Sequence, residues 1–290
     1  MAAASSTLGI IAGGGTLPLR IATAAQSAGR QVFIVGLEGH ADPKALAPFP
    51  HVILRVGAAA RMLRRLKAEG CTDLVMAGPV RRPSFFEIRP EADGMRLLAR
   101  VGRAAFAGDD GLLKAVIRVL GEEGFRILGA HDVLDDLIGH TGLLTEIAPD
   151  DAALADVARG VAVARAMGAA DIGQGCVVQD GFVLAVEAAE GTDAMLSRCG
   201  PLARPGPGGV LVKLVKPGQE RRADLPTIGI ETVRRAAEAG LRGLAFEGGG
   251  TILMDRAGTI AAANAAGLFL LGLDTHETGA AAGSQKEHAP

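Results

Sequence analysis

At 290 residues, 49% of them hydrophobic and 41 of them glycine, the chain has material for one large domain or two of ordinary size. A formal net charge of −2 with dispersed Lys and Arg excludes the basic footprint of a nucleic-acid binder, and the absence of Trp and Tyr removes aromatic stacking platforms. The three cysteines, Cys71, Cys176 and Cys199, lie far apart without a C-x-x-C pair, which argues against zinc and fits a reducing cytoplasm.

In chain order, "MAAASSTLGIIAGGG" lacks a basic n-region and does not read as a signal peptide. "TLGIIAG" is a short apolar strand running into Gly13, Gly14 and Gly15, and "TLPLRIATAAQSAG" then has helix periodicity, with Thr16 at the N-cap and Gly29 as the stop. A strand in "RQVFIVGL", a helix in "AAARMLRRLKAEG" and a strand in "DLVMAG" follow. Helical stretches around Met95–Phe106 and Asp110–Glu123 lead to a strand in "FRILGA". Strands alternating with helices predict a parallel sheet covered on both faces. Ligands bind beyond the carboxyl ends of such strands, and those ends carry Gly13–Gly15, Gly36 to His40, "GPVRRP" with Arg81 and Arg82, and "GDDGLL" with Asp109 and Asp110 at a helix start. A glycine turn before a helix offers backbone N–H groups to phosphate, and the two arginines add forked hydrogen bonds. The competing explanation is a turn that merely lets strand and helix pack closely. Pro18 occupies the third glycine place of the dinucleotide fingerprint, which disfavours NAD, and no G-K-[ST] follows.

Past "GAHDVLDDLIGHTGLLTEIAPDD" the pattern changes. One long helix spans "DDAALADVARGVAVARAMGAADIG", a hairpin turns at Asp180-Gly181, and strands follow in "GVLVKLVK", "GLAFEG" and "GTILMD", with helices starting near Thr192 and Ile230. The apolar run from Gly258 to Leu273 reads as one buried helix, too short for the roughly 20 residues of a bilayer span. The fold class expected is α/β: a Rossmann-like parallel-sheet domain over 1–135 that binds nucleotide or sugar phosphate, a mixed α/β (α+β) catalytic domain over 136–275, and a disordered polar tail over 276–290.

Three clusters in the second half could carry chemistry. Gly191, Thr192 and Asp193 stand at a helix start, where Thr192 is either a plain N-cap or part of a phosphate site. Glu247 ends a strand beside three glycines, a tight loop or a site. In "LVKLVKPGQERRADLPTIG", Lys213 interrupts an apolar strand, where a buried charge is costly unless paired or met by a ligand. Lys216, Gln219, Arg222 and Asp224 follow within a few residues. A carboxylate among cations suits Mg²⁺ or Mn²⁺ or the orienting of a water, and the cations suit phosphoryl oxygens. A surface loop with local salt bridges is the bland alternative.

Taken together, "LGIIAGGGTLP", "VMAGPVRRPSF", "GDDGLLKAVI", "EGFRILGAHDVL", "EGTDAML", "LVKLVKPGQERRADLPTIG" and "LAFEGGGTILMD" resemble, in order and from about Leu8 to Leu273, the UDP-2,3-diacylglucosamine pyrophosphatases of the LpxI type. The resemblance implies a metal-dependent enzyme of lipid A synthesis that forms UMP and 2,3-diacylglucosamine 1-phosphate (lipid X) by directing water at the phosphorus on the sugar side. It implies an essential aspartate in R-x-D-x-P-T-x-G, here Asp224, with Mg²⁺ or Mn²⁺ as cofactor. The partners expected are a lipid-linked UDP-sugar, a transient peripheral contact with the inner membrane and a second copy in a homodimer, with no nucleic acid. A calcineurin-like metallophosphoesterase fails for want of D-x-H and later histidines, and "GEEGF" is only a fragment of a Nudix box. A non-catalytic nucleotide-sugar or lipid carrier remains the alternative that product formation would exclude.

Overall fold

The structure, a computed structural model, describes residues 7–81, 100–101 and 109–275. The stretch around Met95–Phe106, apart from residues 100–101, and the tail from 276 lie outside the described residues, as does Arg82.

Among the described residues the first sheet is built from five parallel strands, β1 (Thr7–Ala12), β2 (Val32–Leu37), β3 (His51–Leu54), β4 (Cys71–Ala77) and β5 (Arg126–Leu128), in the order β3-β2-β1-β4-β5. Helices α1 (Leu17–Ser27), the short α2 (Pro43–Leu46), α3 (Ala59–Ala68) and α4 (Asp109–Glu122) connect or flank them. Strand β2 is buried at every residue, as expected where helices cover both faces. Phe33, Val35 and Leu37 face Met62, Leu63 and Leu66 of α3 and Ile117 and Leu120 of α4 in one apolar cluster. Strand β3 was not anticipated: "HVIL" carries a histidine at its start and only one fully buried residue, so its apolar signal is short. The chain reverses direction through the sheet between β1 and β4, which are neighbours, and this is the switch point beside which doubly wound folds take ligands.

The second sheet is mixed. Its strands are β6 (Gly142–Leu143), β7 (Gly175–Gln179), β8 (Phe182–Val186), β9 (Val210–Lys213), β11 (Gly243–Glu247) and β13 (Phe269–Leu273), in the order β6-β13-β11-β9-β7-β8. A separate parallel pair joins β10 (Thr227–Ile228) and β12 (Ile252–Leu253). Strands β9, β11 and β13 run parallel, while β7 and β6 run against them. Helices α5 (Asp151–Ala169), α6 (Gly191–Ser197), α7 (Ile230–Glu238) and α8 (Arg256–Ala265) complete this part.

Period-two alternation decides which helix each strand residue meets. Val210 and Val212 of β9 pack with Val157, Ala164 and Met167 of α5. Leu211 faces the other way, with Met195 and Leu196 of α6, Val233 and Ala236 of α7 and Ala263 of α8. Lys213 follows Leu211 by two and inherits the α6 face.

The fold is therefore α/β, parallel in the first half and mixed in the second, as the sequence predicts. The single buried helix expected over Gly258–Leu273 is instead two elements. α8 ends at Ala265, Gly267 takes a left-handed φ of 71°, and Phe269–Leu273 continues as a strand. An apolar run has no period by which to separate buried strand from buried helix. By its internal contacts the chain divides into two units: residues up to Asp135 together with Glu220–Asp224, and Asp136–Gln219 together with Leu225 onward. Among the described residues no helix is long and apolar enough to cross a membrane.

Candidate active site

In the first unit, the loops after β1 and β4 meet at the switch point. The Gly13 N–H donates to the Ala77 carbonyl at 2.8 Å and the Gly14 N–H to the Pro79 carbonyl at 2.9 Å. A Cβ on Gly13 would lie 2.6 Å from the carbonyl oxygens of Gly78 and Pro79, so glycine is needed for the two loops to touch. Gly15 adopts φ 75° and leads into α1, whose first N–H groups lack helical acceptors. Thr16 holds the N-cap position but makes no side-chain cap bond. His40, after β2, accepts the Arg81 backbone N–H through Nδ1 at 3.4 Å. The fold thus brings Gly13, Gly14, Gly15, Arg81 and His40 to one end of the sheet, as the strand ends predict. Asp109 and Asp110 open α4.

The segment Glu220–Asp224 also belongs to this unit. Ala223 packs on the cluster formed by β2, α3 and α4. The Arg222 guanidinium grips Glu220 through Nε at 2.8 Å and Nη2 at 2.7 Å. That contact holds the Glu220 carboxyl below the ordinary carboxylate range, with Lys114 of α4 assisting. The turn closes through the Asp224 N–H, which donates to the Glu220 carbonyl at 2.9 Å. Asp224 is half-buried and Arg222 exposed.

In the second unit, Lys213 and Glu247 end the parallel neighbours β9 and β11, the position at which α/β sheets take ligands. Lys213 is only 3% exposed, and Nζ donates to Thr192 Oγ1 at 2.7 Å and to the Thr227 carbonyl at 3.3 Å. Thr192 in turn donates to Glu187 Oε1 at 2.8 Å. Thr192 is thus not a cap: Glu190 holds that place, Gly191 opens α6, and the hydroxyl bridges a carboxylate and an ammonium. Glu247 is buried and accepts the Val215 N–H through Oε2 at 3.3 Å.

Gln219 is buried as a staple of the loop after β9. It accepts the Lys216 N–H at 2.8 Å and donates to Gln174 Oε1 at 3.2 Å. Lys216 reaches Asp171 at 2.7 Å, and the exposed Asp193 lies 3.6 Å from Arg235. Glu187 was missed by sequence reasoning. It follows β8 among alanines and a second glutamate, and no spacing separates it from Glu190. Thiol chemistry is disfavoured, because burial pushes Cys71 up to about 11 and Cys176 up to about 12.

Two α/β units, each presenting polar groups at the carboxyl ends of parallel strands, form the frame of an enzyme that handles charged ligands. The chain belongs to the LpxI family: the LpxI N-terminal domain matches residues 7–137 and the LpxI C-terminal domain residues 140–271. A relative from Caulobacter vibrioides, named UDP-2,3-diacylglucosamine pyrophosphatase LpxI, is 44% identical over 276 residues, which are 93% of this chain and 98% of that protein. Among solved structures, CobK precorrin-6A reductase aligns over 93% of this chain and 87% of its own at 12% identity and a TM-score of 0.33. A putative NAD-dependent epimerase/dehydratase from Methylobacillus flagellatus covers 50% of this chain and 44% of its own at 14% identity and a TM-score of 0.25.

Proposed function

We propose that this chain hydrolyses the pyrophosphate bond of UDP-2,3-diacylglucosamine to UMP and 2,3-diacylglucosamine 1-phosphate in lipid A synthesis. The observation that carries this reading is the near full-length relation to the Caulobacter pyrophosphatase.

Among the described residues no group of three His, Cys, Asp or Glu side chains is placed to hold a metal ion. A hard cation such as Mg²⁺ or Mn²⁺, with water and substrate phosphate in its shell, needs only one or two carboxylates from the protein. Asp224 would hold it. When bound, the ion supplies positive charge to phosphoryl oxygens and a more acidic water.

Each unit makes its own contribution. In the first, the Glu220–Arg222 clip and the packing of Ala223 fix the turn that presents Asp224, whose carboxylate orients the water or the cation. The glycine loop, with Arg81 and Arg82, takes the uridine-phosphate side, and Asp109 and Asp110 stand at the head of α4. In the second, Lys213, held inside an apolar strand end, takes up charge developing on a phosphoryl oxygen. A cation in such a dry setting acts more strongly than one in water. Lys216 and Gln219 shape the loop after β9, with Gly191, Thr192, Asp193 and Glu247 as further substrate contacts, while Arg222 acts in the first unit through its grip on Glu220. The same reading makes the protein a cytoplasmic homodimer that meets its lipid-bearing substrate by transient contact with the inner membrane.

The test is to incubate the purified protein with UDP-2,3-diacylglucosamine, with and without Mg²⁺ or Mn²⁺, and to measure UMP and lipid X. The parent protein should release both products only with metal. Asp224→Ala should lower kcat about 10²-fold or more, with KM little changed. Tight substrate binding without hydrolysis under either metal would turn the assignment towards a carrier.

A further inference from the structure

The Glu187 carboxyl is an expensive thing to bury. The residue is 7% exposed, and Oε2 is buried with no hydrogen-bond partner among the described residues. Glycine at position 175 makes room for it, since a Cβ there would lie 2.7 Å from that oxygen. Gly175 is also the residue that pairs with Lys213 across β7 and β9. A carboxylate oxygen buried without a hydrogen-bond partner carries the full desolvation penalty, so packing alone would favour an apolar side chain here.

What the carboxyl does is orient a hydroxyl. Thr192 has one hydrogen, and Glu187 Oε1 takes it at 2.8 Å. The lone pairs that remain are what Lys213 Nζ meets at 2.7 Å. Without a fixed acceptor behind it, the hydroxyl could rotate and turn its hydrogen towards the ammonium. The three groups come from different elements: the end of β8, the first turn of α6 and the last residue of β9. Their convergence is therefore a product of the tertiary fold.

We propose that Glu187 is a positioning residue for Lys213, acting through the Thr192 hydroxyl to hold the ammonium in one direction. This rests on the reading that Lys213 meets phosphoryl oxygens. The role assigned to Thr192 is thereby sharpened from general substrate contact to the middle of a three-member relay.

The experiment compares Lys213→Met, Thr192→Val, Thr192→Ser, Glu187→Met, Glu187→Gln and the double variant Thr192→Val with Glu187→Met. The full-length protein is used, with kcat, KM and melting temperature measured for each. Thr192→Val keeps the side-chain shape and removes both hydrogen bonds, so it should lower kcat up to about 10²-fold with little change in KM. Thr192→Ser, which returns the hydroxyl, should restore most of that loss. Glu187→Met, which keeps the length and removes the acceptor, should lower kcat as well, whereas Glu187→Gln, which keeps a carbonyl oxygen for the hydroxyl, should retain more of it. The double variant should be no worse than the poorer single one, as expected of groups acting as a unit. Thr192→Val and Thr192→Ser that turn over equally fast, a folded Glu187→Met with the parent's kcat, or losses that multiply, would overturn the proposal. Should Glu187→Met fail to fold, Glu187→Ala takes its place with the same expected loss. If Lys213→Met itself leaves kcat intact, the role of Lys213 falls and the relay with it. If Lys213→Met abolishes turnover while Thr192→Val and Glu187→Met do not, the relay alone is wrong.

Discussion

Asp73 shows how much one buried side chain can hold. It is 3% exposed, accepts Arg126 Nε and Nη2 at 2.8 Å each, and also bonds Arg30. Arg126, then Arg30, keep its carboxyl below the aspartate value of 3.8. A group whose native pKa is depressed contributes stability that is fully present above its unfolded pKa and lost as pH falls through the native one. Asp73→Asn should therefore cost about 2 kcal/mol near neutral pH. The difference from the parent should close as pH drops from about 5 to below 3, which urea titrations across that range would reveal. A pH-independent difference would contradict the assignment. At the same scale, Lys213 was legible in the sequence because a charge inside an apolar run must find compensation. Glu187 was not, because its burial comes from the Glu187 N–H bonding the Gly175 carbonyl at 2.8 Å, a pairing between strands. His40 likewise gains a role only when the fold carries it to Arg81.

Among the elements, the β7–β8 hairpin was the easiest to read. Asp180 and Gly181 take φ values of 52° and 77°, the pair of left-handed residues that a two-residue turn demands. What the sequence could not show is its anchor on α5. Asp156, 2% exposed, accepts the Asp180 N–H at 3.1 Å and the Gly181 N–H at 2.8 Å. Gly181→Val should lower stability by about 1–2 kcal/mol through backbone strain alone, since no atom stands where the new Cβ would go. Gly181→Asn should cost clearly less, and equal urea midpoints for the two would refute the strain argument. Helices with caps and clear periodicity, such as α5 with Asp150 at its head, were also legible. The short β3 and the strand after Gly267 were not, because four or five apolar residues support either structure until their neighbours are known.

The whole molecule is less simply divided than its two family domains suggest, since Glu220–Asp224 completes the first unit from far along the chain. A fragment ending at Asp135 should therefore melt lower than the same fragment carrying Glu220–Asp224 on a glycine-serine linker. Recovering about 1 kcal/mol would raise the midpoint by about 3 °C. Identical melting curves would mean that the packing of Ala223 adds nothing.

The same crossing sets a timetable on the ribosome. All five strands of the first sheet are synthesised before Asp136, and domains generally fold as the chain emerges. The turn bearing Asp224 arrives after β9, at a scaffold that has already had time to form. A nascent or truncated chain that stops short of that turn can hold a folded first sheet and yet lack the carboxylate assigned to the chemistry. On the role proposed for Asp224, incomplete products of translation would be structured but catalytically silent.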